Sequence, residues 1–591
     1  MIFGKHINKY YLKYMPELLL GILALLLVDY FQLKIPELYK YIVDGINDGF
    51  VVIDGTRHTF DFDFVLEVVC RPMLVVVLAI ALGRFLWRVC LFGSAIKVET
   101  SIRSKMFERC KMLSQEYYQK NKVGNLMSLF TNDLDTINEC FGDGALMAFD
   151  AVLLGSLAIY KMLSMDGLLT LLSMIPMLFM LIIATLVGKS MKVKWAARQA
   201  AFSSLSDFSQ ESFSGIAVIK AFVKELSELM SFKRLNRDNE EKNIDFTRTS
   251  TLLHIFVTLF VESVICIILG YGGYLVYRDS FTPGELIEFM SYFSSVVWPV
   301  MAVSQLIEMR SRGMASLRRV SELLDAEITV KDSDEVAHVP EIFGDIEYRG
   351  LTFRYPGAEY DALSEVSFKI NRGENVGIIG RTGSGKTTLV DLLMRTYNVP
   401  DCTVFVDGRD INTIPIKQLR EYSAYVPQDN FLFSDTIENN IAFAVDGFSL
   451  DGVTEAARLA DVDTNISEFP NGYKTVLGER GVTVSGGQKQ RISIARALMK
   501  GAAILILDDS VSAVDTDTER VIIDNLRRQR RGKTTILIAH RVSTVERMDK
   551  IIFLSEGRVL GVGTHDELVE SCPEYKTTVE LQRLEEGEKN A

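Results

Sequence analysis

Residues 375–390 read NVGIIGRTGSGKTTLV. A short apolar strand (VGII) runs into a glycine-rich turn and then into a helical run (TLVDLLMR). Within the turn Gly380, Arg381, Thr382, Gly383, Ser384, Gly385, Lys386 and Thr387 match the spacing GxxxxGK[ST], and Thr388 follows directly. Glycines at these places let backbone amides curl round phosphate oxygens, and the helix that follows points its positive end at them. The pattern predicts that Lys386 reaches the outer phosphates and that the Thr387 hydroxyl ligates Mg²⁺. An α/β nucleotide-binding domain is the fold this stretch calls for.

Such a domain needs a second strand ending in an acid, and residues 504–515, ILILDDSVSAVD, supply one. Asp508 ends a run short and apolar enough to be a fully buried strand, where it would hold Mg²⁺ directly or through water. A second acid, Asp509, follows at once. Between the two elements lies VSGGQKQR (484–491), ahead of the helical ISIARALMK. Ser485, Gly486 and Gly487, with Gln488 next, form a small-residue turn at a helix start, a second anion-binding device in one domain.

Outward from this domain the composition changes. A chain of 591 residues is too long for one ordinary core. Six apolar runs of spanning length precede residue 310, at about 16–38, 65–92, 145–163, 167–188, 252–277 and 285–307, and none follows residue 344. The expected organisation is an all-α membrane domain over 1–320, a linker over 321–343 and the nucleotide domain over 344–591. Lys5, Lys9 and Lys13 precede the first span, whereas the next loop carries Asp44, Asp48, Asp54, Asp61 and Asp63 against Arg57. Basic residues stay inside, so the N-terminus is expected in the cytoplasm and six crossings return the chain there. The two long inner connections, roughly 93–144 and 189–251, read as helix, so the spans are expected to continue as paired cytoplasmic rods.

A net charge of −12 argues against nucleic acid as a partner. Seven scattered cysteines form no CxxC or Cys/His cluster, which leaves neither a zinc site nor a disulfide framework. The spans contain Asp29, Glu67, Arg71, Arg84, Arg88, Asp150 and Glu262. Charges at membrane depth are costly and face a bundle interior or a cavity, and Arg84 and Arg88, four apart, share a helix face. Two readings stay open for them, a polar cavity wall or inter-helix pairs and snorkelling.

With the motifs in this order, the second half resembles the nucleotide-binding domain of ATP-binding-cassette (ABC) transporters over essentially all of 344–570. VSGGQ is similar to the family's LSGGQ signature. The resemblance implies that Tyr355 in LTFRYPG stacks on adenine, that Gln428 in YVPQD touches Mg²⁺ and senses the membrane domain, and that His540 in LIAHR contacts the γ-phosphate. GERG (478–481) resembles the exporter-type segment before the signature, and Asp515 closes SAVD, which resembles the D-loop. The membrane half resembles a multidrug-type exporter, with NDLDTI (132–137) and GIAVIKAFVKE (215–225) similar to loops whose coupling helices rest on nucleotide domains. One six-span half fused to one cassette implies a half-transporter that works as a dimer in the cell membrane among lipids, driven by ATP and Mg²⁺. Because the first span begins almost at once, a leader-processing peptide exporter is not expected.

Asp509 stands where the family usually has Glu, the base that polarises the attacking water. A base must lie within about 2.6–3.2 Å of its proton, and Asp is one methylene shorter. Slow hydrolysis at this site is expected, with ATP binding retained. In the family each ATP lies between the phosphate loop of one subunit and the signature of the other. The chain is therefore expected to be the degenerate-site half of a bacterial heterodimer whose partner carries Glu, exporting a small molecule, lipid or peptide. Two alternatives stay open: a homodimeric exporter using Asp509 as base, and an ATP-gated regulator or channel without net pumping.

Overall fold

The computed structural model describes residues 3–589 apart from 54, 334–335, 479–480, 482 and 513. Asp54, Glu479 and Arg480 of GERG, and Ala513 of SAVD lie outside the described residues. The chain divides into two units, Met1–Cys110 with Gly124–Asp325, and Lys111–Val123 with Ala326–Ala591.

The first unit is built from helices long and apolar enough to cross a membrane, six in number among the described residues. The first crossing is α1 (Met15–Gln32) continued by α2 (Lys34–Asp48), which Gly49 closes in the left-handed region at φ +74. A hairpin of β1 (Phe50–Ile53) and β2 (Thr56–Thr59) follows. Then come α3 (Arg71–Met112), α4 (Asp143–Met165), α5 (Gly167–Ser214), α6 (Glu225–Ile267) and α7 (Pro283–Asp325). Helices α3, α5, α6 and α7 have 42, 48, 43 and 43 residues. At about 1.5 Å per residue each exceeds 60 Å, twice the ~30 Å of bilayer hydrocarbon. Helices α5 and α6 pack along one another through this excess length.

Asp44 shows how the bundle is fastened. It is 5% exposed, accepts from the Thr282 hydroxyl (2.8 Å) and the Gly284 N–H (2.8 Å), and so satisfies donors at the start of α7 from the end of α2. A Cβ on Gly284 would lie 2.5 Å from the Lys40 carbonyl oxygen, so only glycine fits this approach. NDLDTI is not a surface loop. Asp133 is buried and paired with Arg319 inside the first unit, and the segment that joins the second unit is 111–123, with a short helix at Gln115–Lys120. There the Ser114 and Thr329 hydroxyls are 2.8 Å apart. Asp133 turns inward because tertiary packing supplies an arginine, while Asn132 and Asp135 of the same stretch stay exposed.

The second unit holds a six-stranded sheet in the order β12-β11-β5-β10-β9-β8, formed by β5 (Asn375–Gly380), β8 (Ser423–Val426), β9 (Ile504–Asp508), β10 (Thr534–Ala539), β11 (Lys550–Ser555) and β12 (Arg558–Gly563). All its pairings are parallel except β11–β12. A four-stranded antiparallel sheet, β4-β3-β6-β7, uses β3 (Ile346–Phe353), β4 (Leu363–Ile370), β6 (Val404–Val406) and β7 (Arg409–Asp410). The apolar run ILIL becomes β9 because both its faces are buried. Ile504 and Ile506 enter one apolar cluster and Leu505 and Leu507 the other.

Candidate nucleotide site

Four neighbouring parallel strands bring their carboxyl ends together, the place where open α/β sheets bind ligands. Their register aligns the elements picked out in the sequence. Ile379 is opposite Ala539, Ile538 opposite Asp508, and Leu507 opposite Val426. The phosphate-loop turn, His540, Asp508–Asp509 and Gln428 therefore leave the sheet along one edge.

The turn after β5 is tight at two of its glycines, which leave no room for side chains. A Cβ on Gly380 would sit 2.2 Å from the Leu554 carbonyl oxygen, and one on Gly385 would sit 2.8 Å from that of Ala362. Gly383 and Gly385 take φ +81 and +96, conformations open to glycine. Arg381, Thr382 and Gly383 face solvent. The Ser384 hydroxyl is buried with no hydrogen-bond partner. Helix α8 (Lys386–Leu393) starts at Lys386, whose Nζ donates to the carbonyls of Gly380 and Arg381, both at 2.9 Å. Burial pulls the Lys386 ammonium below its ordinary pKa, against the opposing charges of Asp508 and Asp509.

Asp508 is 1% exposed. Burial pushes its carboxyl above the usual range, while hydrogen bonds from the Thr387 and Tyr425 hydroxyls favour the charged form. The Tyr425 hydroxyl lies 3.3 Å from Asp508 Oδ2. Asp509 takes φ +46, the left-handed region. Its backbone is held on both sides, its N–H donating to the Ile538 carbonyl (3.0 Å) and its carbonyl accepting from Gln490 Nε2 (3.1 Å) and the Ser512 hydroxyl (2.9 Å). His540 Nε2 stands 4.0 Å from Asp509 Oδ2. Gln428 is exposed just beyond β8.

Tyr355 is partly buried against the phosphate-loop helix, its hydroxyl 2.9 Å from that of Thr388. Its ring meets Phe353 and Tyr397 edge-on, each at 5.1 Å between centroids. Ser485 caps α9 (Gly486–Lys500), accepting from the Gln488 N–H (3.2 Å), while Gln488 Oε1 accepts from the Ser485 N–H (3.0 Å). Ser485 and Gly486 are exposed, with Gly487 and Gln488 half-buried. Among the described residues no hydrogen bond joins this turn to the phosphate loop. Asp515 caps α10 (Thr516–Gln529) by accepting from the Thr518 N–H (2.9 Å), which holds its carboxyl below the ordinary pKa.

Three residues around the site escaped the sequence reading. Asp391, one turn along α8 from Thr387, is pushed up to about 6 by burial. Gln490 ties the signature helix to Asp509, and Tyr425 faces Asp508. Their signal is weak because each is an ordinary residue in an ordinary helix or strand.

In the first unit, four of the membrane-depth charges line a cavity, and two others pair within one helix. Asp29, Gln32, Arg84, Arg88, Asp150 and Trp298 line one cavity of about 480 Å³. Trp298 Nε1 donates to Asp150 Oδ2 at 3.0 Å and Arg84 to Gln32 at 3.4 Å. Glu67 and Arg71 pair one turn apart at 3.2 Å, and Glu262 is exposed.

Residues 18–300 match the ABC transporter transmembrane region and residues 363–512 match the ABC transporter domain. A probable multidrug resistance ABC transporter ATP-binding/permease protein of Bacillus subtilis, YheI, is 36% identical over 99% of this chain and 98% of its own length. The multidrug resistance-like ATP-binding protein MdlA of Escherichia coli is 34% identical over 96% of this chain and 94% of its own. An ATP-dependent lipid A-core flippase of Syntrophus aciditrophicus is 34% identical over 83% and 81%. The structure of a bacterial Atm1-family ABC exporter with ATP bound superimposes with a TM-score of 0.75 at 25% identity, over 97% of this chain and 99% of that one. The chain therefore belongs to the ABC transporter family, as a multi-pass exporter-type membrane protein whose fused nucleotide-binding domain is an ATPase coupled to transport.

Proposed function

We propose that this chain is one half of a heterodimeric exporter in the cytoplasmic membrane, with its N-terminus and nucleotide domain in the cytoplasm, and that it hydrolyses ATP slowly at its own phosphate loop. The observation that carries this is Asp509. Its backbone is pinned by three hydrogen bonds in a left-handed conformation, and its short side chain ends 4.0 Å from His540. A carboxylate so fixed cannot advance to make up the methylene it lacks.

The other residues fit Mg-ATP. Gly380 and Gly385 keep the turn packed too closely for a Cβ, Gly383 is open to solvent, and the Ser384 hydroxyl is buried without a partner. Lys386 holds the outer phosphates, and Tyr355 meets the adenine. Thr387, Asp508 and Gln428 would hold Mg²⁺, which neutralises phosphate charge when bound. Ser485, Gly486, Gly487, Gln488 and Asp515 face the partner's nucleotide and complete the competent site there. The turn near 215–225 supports a second chain. Around it Phe213, Phe222 and Val223 are exposed by 76%, 71% and 81%, an apolar tip suited to a partner's surface. The transported molecule is a small molecule, lipid or peptide.

ATP turnover of the complex isolated with its co-purifying chain, compared with Asp509→Asn, tests this. Turnover that largely persists places the working base on the other chain. Turnover that vanishes makes Asp509 the base and replaces this reading by a homodimer or by two coupled active sites. ATP-dependent accumulation in inside-out vesicles separates a pump from a gated channel, since a channel builds no gradient.

A further inference from the structure

The strand that delivers His540 ends its ladder one residue earlier, at Ala539, which pairs with Ile379. His540 and the residues after it leave the sheet, and a short helical turn begins at Val542. Backbone groups at such an exit have no ladder partner and need another. One side chain supplies it. Gln582 Nε2 donates to the His540 carbonyl at 2.8 Å, and Gln582 Oε1 accepts from the Val542 N–H at 2.7 Å. An amide offers a donor and an acceptor in one plane, so it can bridge two backbone groups that flank one residue.

Gln582 lies on α11 (Pro573–Lys589), a helix seated firmly on the sheet. Tyr575 is 0% exposed, stands edge-on to Phe553 of β11 at 5.5 Å, and bonds His565 at 2.9 Å. Val579 is buried in the same apolar cluster. Tyr575, Val579 and Gln582 are spaced by four and three, so the face that docks the helix is the face that carries the amide. A second anchor holds the turn further on. Glu519 of α10 accepts from the Thr544 hydroxyl and lies 3.8 Å from the Arg541 guanidinium, but it bonds neither backbone group of His540. The stretch is thus fixed from two helices, and among the described residues it is the C-terminal one whose side chain bonds the histidine's backbone.

We infer that Gln582 is a positioning residue for His540, setting from the C-terminal helix where the imidazole stands at the nucleotide site. The inference rests on the proposed contact of His540 with ATP. Its action goes through His540, so the two residues must not act independently.

The test uses the full-length chain with its co-purified partner, loaded with radiolabelled Mg-ATP and chased with excess unlabelled ATP. His540→Ala and Gln582→Ala should each speed the slow release phase about five- to tenfold, the scale of one lost hydrogen bond, and the double variant should release no faster than either. Gln582→Glu keeps the length and the acceptor for Val542 but sets an oxygen against the His540 carbonyl. It should release ATP as fast while its thermal midpoint stays within about 2 °C of wild type. Unchanged release in Gln582→Ala beside fast release in His540→Ala overturns the inference. Additive acceleration in the double variant overturns it too, as does a collapse of the Gln582→Glu midpoint, which would mark a role in helix docking alone. If His540→Ala itself holds ATP as long as wild type, the fault lies in the reading of the site, and the inference falls with it.

Discussion

His540 Nε2 and Asp509 Oδ2 face each other across 4.0 Å at the ends of two adjacent parallel strands. That is wider than a hydrogen bond, and the gap follows from the aspartate's length and its pinned backbone. A left-handed φ of +46 suits Asp better than Glu, because a short polar side chain tolerates that region.

Asp509→Glu should therefore trade stability for turnover. The extra methylene brings the carboxylate about 1.5 Å further out. Hydrolysis at this chain's own site should rise at least tenfold, the lower range of what a placed general base contributes being about 10²-fold. The unfolding free energy of the nucleotide domain should fall by up to about 1 kcal/mol. Turnover and denaturant melts of the same preparation check both.

Ser485 separates structure from function at the signature. Ser485→Ala removes the cap of α9 and should cost about 1 kcal/mol. Ser485→Asp keeps a good cap and should leave stability close to wild type, yet it sets a negative charge against the partner's phosphates. Both variants should lose most of the complex's ATP turnover. Unimpaired turnover in Ser485→Asp would remove this turn from the competent site.

Asp391 gives the nucleotide domain a pH signature. Burial raises its folded-state pKa to about 6, above that of the unfolded chain. Below the unfolded value both states hold the proton and nothing differs. As pH climbs from about 4 to 6 the unfolded state releases its proton freely while the folded state resists, so stability declines across that window. Asp391→Asn should match wild type in nucleotide-free melts near pH 4 and exceed it at pH 7.5.

Arg530 is a test of the sheet. It is 5% exposed and donates to the carbonyls of Ala502, Ala503 and Thr534 and to the Thr535 hydroxyl at 3.0 to 3.2 Å. Burial lowers its pKa to about 10. Arg530→Met should cost about 3 kcal/mol or more, because it removes four hydrogen bonds at the start of β9 and β10, the Ala503 carbonyl keeping a second donor in the Thr534 N–H. Equilibrium unfolding reads it directly.

What the sequence by itself determined is what local chemistry controls. A strand, a GxxxxGK[ST] turn and a helix are neighbours along the chain, and glycine's conformational freedom is a property of the residue, so the cradle at 380–388 was legible without coordinates. Span number followed for the same reason, since apolar length is counted along one helix. Tertiary structure alone decided which distant groups meet. Asp29, Arg84, Asp150 and Trp298 come from four different spanning helices, and only packing gathers them round one cavity, whereas Glu67 and Arg71 pair locally one helix turn apart. Packing likewise buries Asp133 against Arg319, turns Asp509 left-handed and brings Gln582 to His540. Each of these contacts joins residues whose own neighbourhoods are unremarked, because a buried polar group takes whatever partner the fold brings within hydrogen-bond reach.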